Sequence, residues 1–167
     1  MAHETLACAF TGHRAAKLPW GYREDDPACL ELKQRLQDAV FALYGEGCRR
    51  FYCGMANGCD MYFCEAVMEL RAQRPDVTIE AVIPWEGQAS RWGDNLRRRY
   101  DRLVSECDYQ TLVQTHYSPD CMMRRNHYMV DHADVLLAVY NGKSGGTRST
   151  MLYAMRRGLQ IIELPVD

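Results

Sequence analysis

Apolar residues along the chain gather into six short runs, and the stretches between them repeat their apolar positions every three or four residues. The runs at 6–10, 50–53, 77–83, 109–113, 135–140 and 160–164 read as strands, with 77–83 the richest in β-branched side chains. The run at 135–140, Val-Leu-Leu-Ala-Val-Tyr, is apolar throughout and reads as a strand buried on both faces. Helical spacing lies between them. Asp26-Pro27 places a capping carboxylate before a proline, and Leu32, Leu36, Ala39, Val40 and Leu43 follow until Gly45 and Gly47. Phe63, Ala66, Val67 and Leu70 give a second inward face, with Pro75 beyond its end. Leu96, Tyr100, Leu103 and Val104 mark a third. Ser118-Pro119 opens a fourth helix with Met122, Met123, Met129, Val130 and Ala133 facing inward. Met151, Leu152, Ala154 and Met155 mark a fifth, stopped by Gly158. Strand and helix alternate without a linker, a repeat or a low-complexity tract. This order predicts one α/β domain over residues 1–167, a mostly parallel five- or six-stranded sheet with helices on both faces.

Composition narrows the class. With 47% hydrophobic and 25% charged residues, the 167-residue chain matches globular proteins and can bury a core. No apolar run approaches the roughly 20 residues that span a bilayer. The start Met1-Ala-His-Glu4 lacks a basic, then apolar, leader pattern, so the expected location is the cytoplasm, with no membrane partner. A formal net charge of −2 argues against a chain that coats nucleic acid. Arg97, Arg98, Arg99 and Arg102 on the third helix stand among Asp94, Asp101, Glu106 and Asp108, which reads as a solvated mixed-charge face. The eight cysteines form no C-x-x-C pair and read as free thiols. A zinc site from Cys53, Cys59 and Cys64 matches no familiar ligand spacing, so no metal is expected.

Candidate chemistry sits where strands end. Ser144-Gly145-Gly146-Thr147 joins the fifth strand to the fifth helix. The first amides of a helix are unpaired and its dipole is positive there, so two glycines at that point can let a phosphate approach the backbone; an ordinary capped loop is the plainer alternative. Thr11-Gly12-His13-Arg14 follows the first strand. Arg14 can neutralise an anion or pair with Asp25 or Asp26, and His13 can touch a ligand or act as a hydrogen-bonded structural imidazole. Gly54 to Asp60 repeats the strand, glycine turn and helix pattern after the second strand. Asp60 reads as a helix cap, as an acceptor for ribose hydroxyls, or as both. Trp85, after the third strand, can lie against a base or simply pack, and Trp20 and Tyr22 favour packing. Arg124, Arg125 and Asn126 are polar and early on the fourth helix, hence near the same edge. In parallel sheets the crevice outside the carboxyl ends of the strands is the binding place, and these loops all converge there.

Thr-Gly-His-Arg after strand one, Gly-x-x-x-Gly-x-Asp after strand two, Arg-Arg-Asn on helix four and Gly-Gly-Thr after strand five together resemble the YpsA- and YoqJ-like branch of the SLOG superfamily, nearly end to end. That superfamily includes the DNA-processing protein DprA and the "lonely guy" nucleotide phosphoribohydrolases. The resemblance implies a Rossmann-like domain that binds a nucleotide or nucleotide-derived ligand, ADP-ribose-like or mononucleotide. It implies Gly12, Arg14, Gly54, Gly58, Asp60, Gly145, Gly146 and Thr147 as ligand contacts, with Arg124 and Asn126 beside them; His13 and Trp85 join this set from their positions. The phosphoribohydrolases carry Gly-Gly-x-Gly-Thr-x-x-Glu. Here Gly145-Gly-Thr-Arg-Ser-Thr-Met-Leu152 has no carboxylate at the glutamate's place, which weakens the hydrolase alternative. DprA-like single-stranded DNA binding is the remote alternative, and pairing of two copies through helices four or five is open.

Overall fold

The computed structural model describes residues 5–167; residues 1–4, on which the expectation about a leader rests, lie outside the described residues. The strands are β1 (Leu6–Thr11), β2 (Cys48–Cys53), β3 (Thr78–Ile83), β4 (Tyr109–Leu112), β5 (Val135–Tyr140) and β6 (Gln160–Pro165). The helices are α1 (Pro27–Gly45), α2 (Cys59–Gln73), α3 (Asp94–Glu106), α4 (Cys121–Asp131) and α5 (Gly146–Arg156), with a single 3-10 turn at Ala15–Lys17. The strands form one sheet in the order β4-β3-β2-β1-β5-β6, and every neighbouring pair is parallel. The chain therefore steps outward from β1 to β4, crosses back, and continues on the other side of β1 with β5. The turning point of the fold lies between β1 and β5.

Alternation along β1 divides the core. Cys8 and Phe10 face the layer of α1, α2 and α3, where Phe10 stacks on Phe63 at 4.5 Å between ring centroids. Ala7 and Ala9 face the opposite layer with Met129 and Val130 of α4 and Ala154 of α5. Small alanines in the central strand let those two helices approach closely. Leu36, Phe51, Phe63, Leu70 and Leu103 are completely or almost completely buried, and each such side chain contributes roughly 1.5–3 kcal/mol by leaving water. Asp26 caps α1 as its sequence predicts, accepting from the Ala28 N–H at 2.9 Å. α4 departs from expectation. Ser118-Pro119 forms a preceding turn, the helix begins at Cys121, and Met123 is exposed rather than inward.

All eight cysteines are free, and seven are buried. Burial pushes Cys8 and Cys59 far up and Cys48 up to about 11, so these thiols stay protonated and act as small core side chains. The described residues contain no group of three His, Cys, Asp or Glu placed to hold a metal, and none of their helices is long and apolar enough to cross a membrane. The α3 arginines are largely committed: Arg99 meets Glu24 and Glu65 at 2.6 and 2.5 Å, Arg97 meets Asp94, and Arg102 lies near Glu65 and Glu106.

Candidate functional site

A pocket of about 410 Å³ opens at the carboxyl ends of β1 and β5, at the turning point of the sheet. Its walls come from four places: the loop after β1, the turn before α2, the start of α4 and the loop entering α5.

Two of these walls are bonded together. The Cys59 N–H donates to the His13 carbonyl at 3.1 Å, and the Ala15 N–H donates to Asn57 Oδ1 at 3.1 Å. Both contacts require glycine. A Cβ on Gly12 would stand 2.7 Å from Cys59 Cβ, and Gly58, at φ +85°, would drive a Cβ to 2.5 Å from the Ala15 nitrogen. Gly58 is the cap of α2, so Asp60 is not; its carboxylate instead accepts from the Ala56 N–H at 3.0 Å inside the turn. Met55, in the same turn, holds φ at 59° although it is not glycine, a local strain borne by a completely buried side chain.

Arg125 forms the floor. It is 4% exposed, donates through Nε to Asn126 Oδ1 at 2.8 Å and through Nη1 to the Gly54 carbonyl. The ion pairs of the described residues all lie elsewhere, so this buried cation has no carboxylate in direct contact. Asp60 is near enough to act through space. Burial holds the Arg125 guanidinium below its usual range, against the pull of Asp60. Burial likewise pushes the Asp60 carboxyl up, against Arg125, the Ala56 N–H and Arg14. For both groups burial outweighs the attraction between them, so neither charge is fully compensated by the other.

At the far wall, α5 begins at Gly146 immediately after Gly145, whose φ is +148°. Thr147 is buried in the first turn, and Thr150 Oγ1 bonds back to the Gly146 carbonyl, leaving the leading amides free of an N-cap side chain. Exposed Arg14, Lys17 and Lys143 line the rim. Among the described residues the pocket thus gathers four cations against the single carboxylate of Asp60, in a chain whose net charge is −2. Such a cleft focuses positive potential on an anion.

His13 joins the two rims. Its Nε2 accepts from the Asn141 N–H at 3.1 Å, the structural imidazole of the two readings, although the ring also lines the pocket. Burial first, then Lys17, lowers its pKa. A histidine whose folded pKa is depressed binds fewer protons folded than unfolded below about pH 6.5, so its contribution is complete above that value and is lost as pH falls toward the depressed pKa. The wild type is expected to lose melting temperature more steeply than His13→Gln between about pH 6.5 and 5; parallel curves in thermal scans would count against this.

Of the residues expected from sequence, Gly12, His13, Arg14, Asp60, Asn126, Gly145, Gly146 and Thr147 line this pocket. Arg14 has no ion pair with Asp25 or Asp26. Gly54 and Gly58 do not line it; they serve backbone packing, since a Cβ on Gly54 would fall on the Arg125 guanidinium. Arg124 points elsewhere and donates to Gln114 Oε1 at 2.6 Å. Trp85 is also displaced: β3 is two strands from β1, about 10 Å, and the indole packs edge-on against Tyr117 at 5.6 Å. Trp20 is core, donating to the Tyr62 hydroxyl. The ligand contacts expected from sequence did not include Lys17, Lys143 or Arg125, although Arg125 stood with Arg124 and Asn126 near the same edge. Arg125 had a signal, because Cys121, Arg125 and Met129 stand at i, i+4 and i+8 on the buried stripe of α4.

A family model described as the YspA SLOG family, YpsA, matches residues 8–161. The SPbeta prophage-derived protein YoqJ of Bacillus subtilis is 29% identical over 144 residues, covering 78% of this chain and 84% of that protein. The UPF0398 protein YpsA of the same organism is 23% identical, covering 86% and 81%. Among solved structures, DNA processing protein A (DprA) from Streptococcus pneumoniae shares the fold with a TM-score of 0.59 at 16% identity, over 98% of this chain and 51% of that one. DprA from Helicobacter pylori, described for its single-stranded DNA binding mode, gives 0.62 at 16% identity, over 97% and 66%. This chain therefore spans about half to two thirds of the DprA chains.

Proposed function

The chain belongs to the YspA SLOG family, and from that premise we propose that its pocket binds a nucleotide or nucleotide-derived ligand, mononucleotide or ADP-ribose-like, as a sensor or carrier. One observation carries this reading: Arg125 is a buried cation on the pocket floor with no ion-pair partner among the described residues. A buried charge without a counter-charge costs several kcal/mol, and an incoming anionic ligand offsets part of that cost. The open start of α5, with Gly145 and Gly146, offers the phosphate of such a ligand a seat on the opposite wall.

The test is a thermal-shift panel of mononucleotides, dinucleotides and ADP-ribose. A ligand at a hundred times its Kd is expected to stabilise the fold by about 2.7 kcal/mol. Gly146→Asp is a clean control, because nothing lies within 4 Å of the added Cβ. Its carboxylate should weaken binding by about tenfold, near 1.4 kcal/mol of like-charge repulsion. No shift with any member of the panel would overturn the reading.

A second reading, hydrolysis of a nucleotide N-glycosidic bond, draws on Asp60, the one carboxylate lining the pocket, whose raised pKa suits a proton donor. Release of free base by the wild type, and not by Asp60→Asn, would establish it. Single-stranded DNA is the reading suggested by the likeness to DprA. Against it, Arg97, Arg99 and Arg102 are already engaged by carboxylates. Binding that collapses with salt and depends on Arg98 and Arg102 would favour DNA.

A further inference from the structure

The two ends of the pocket differ in chemistry. The α5 end carries Lys17, Lys143 and the unpaired amides of the first helical turn, with no carboxylate lining it. Lys17 reaches over it, since its Nζ lies 3.7 Å from the position a Cβ on Gly145 would take. The other end holds Arg125, bonded to Asn126, with the Asp60 carboxylate nearby but not in direct contact. A phosphate placed directly on Asp60 meets repulsion, whereas a sugar hydroxyl donates to that carboxylate and accepts from the guanidinium or the Asn126 amide.

What is missing is equally specific. No tryptophan or tyrosine lines the pocket. Trp20 bonds Tyr62, Trp85 packs on Tyr117, and the Tyr140 ring lies 6.4 Å from the His13 ring without reaching the cavity. Its large apolar lining is Phe10, which is 1% exposed, and Met122. Stacking of a base on an open aromatic face is worth about 1–3 kcal/mol; the aromatic rings lining this pocket, Phe10 and His13, are only 1% and 9% exposed, and His13 is held by the Asn141 N–H.

We infer that the site recognises a ribose phosphate and leaves the base unread, the phosphate seated on Gly145, Gly146 and Lys17 and the ribose hydroxyls on Asp60 and Asn126. This rests on the reading of the pocket as a phosphate site and narrows its ligand class. Ligands that share ribose and phosphate but differ in base are equivalent to it.

The experiment is a calorimetric panel of inorganic phosphate, ribose 5-phosphate, AMP, GMP, CMP, UMP and 2′-deoxy-AMP. The four ribonucleotides are expected to agree within about threefold, and ribose 5-phosphate to bind with them. 2′-Deoxy-AMP should bind about tenfold more weakly, the loss of one charge-assisted hydrogen bond. Asp60→Asn, whose amide oxygen can still accept from the Ala56 N–H, should erase that ribose preference while circular dichroism stays unchanged. A base preference beyond tenfold, or equal binding of the deoxynucleotide, overturns the inference while leaving a phosphate site standing. Silence across the whole panel, inorganic phosphate included, overturns both.

Discussion

Arg125→Met is expected to weaken nucleotide binding by two to three orders of magnitude without lowering the melting temperature. Removing one member of a buried charged contact to a ligand costs about 2–5 kcal/mol, and each 1.4 kcal/mol is a factor of ten. Stability moves differently because the unliganded protein carries the desolvated cation at a loss. Met fills the aliphatic space beside Met122, while the Gly54 carbonyl that Arg125 serves keeps its second donor, Gln88 Nε2, at 3.2 Å. Titration calorimetry and a thermal scan of the same variant check the two halves. A large fall in melting temperature would mean that Arg125 is chiefly a structural tie between α4 and the β2 turn.

Gly58→Ala is expected to have the largest effect on folding. The added Cβ would meet backbone rather than a yielding side chain, 2.5 Å from the Ala15 nitrogen and 2.8 Å from the His13 carbonyl oxygen, and the residue would have to hold φ at +85°. Strain of this kind costs about 1–3 kcal/mol, and forcing the loop outward breaks the Ala15 to Asn57 and Cys59 to His13 hydrogen bonds as well. A total of at least about 3 kcal/mol lowers the melting temperature by about 6–12 °C in a chain of this size. Gly146→Asp, with open space around it, should leave the melting temperature within a few degrees of wild type. If the two glycine variants melt alike, the close approach of the β1 and β2 loops does not support the fold as described.

The strands and helices were legible because their signals are local. Pro27 after Asp26, the glycines at 45 and 47, and the apolar run at 135–140 each specify a start, a stop or a buried strand without reference to distant residues. A mostly parallel sheet followed from the alternation of strand and helix, and a crevice at the carboxyl ends of its strands from the loops there; that every pair is parallel and that the pocket opens between β1 and β5 came only with the strand order. The site was legible where it depends on backbone, as at Gly145, Gly146 and Gly12, and less so where it depends on helix phase. Arg124 and Arg125 are adjacent in sequence but about 100° apart around α4, so one faces Gln114 and the other the pocket floor. Two adjacent methionines, one exposed, blurred that phase. Trp85 was misplaced for another reason: a shared sheet edge does not mean a shared crevice when two strand spacings intervene. Lys17 and Lys143 gave no local signal, since a surface lysine at a loop looks the same whether or not a distant loop folds back beside it.

The pocket has one wall from the beginning of the chain and one from near its end, since β1 pairs with β5 through contacts such as Cys8 with Val135 and Thr11 with Ala138. During synthesis the early wall, including its link to the β2 turn, can assemble long before the late one exists. The ligand proposed above would have nothing complete to grip until Thr147 has left the ribosome and β5 has docked, a long-range step that is slow in parallel sheets. On that reading, ligand protects folded molecules from unfolding but cannot chaperone nascent ones, and shortened products ending before residue 134 gain nothing from its presence.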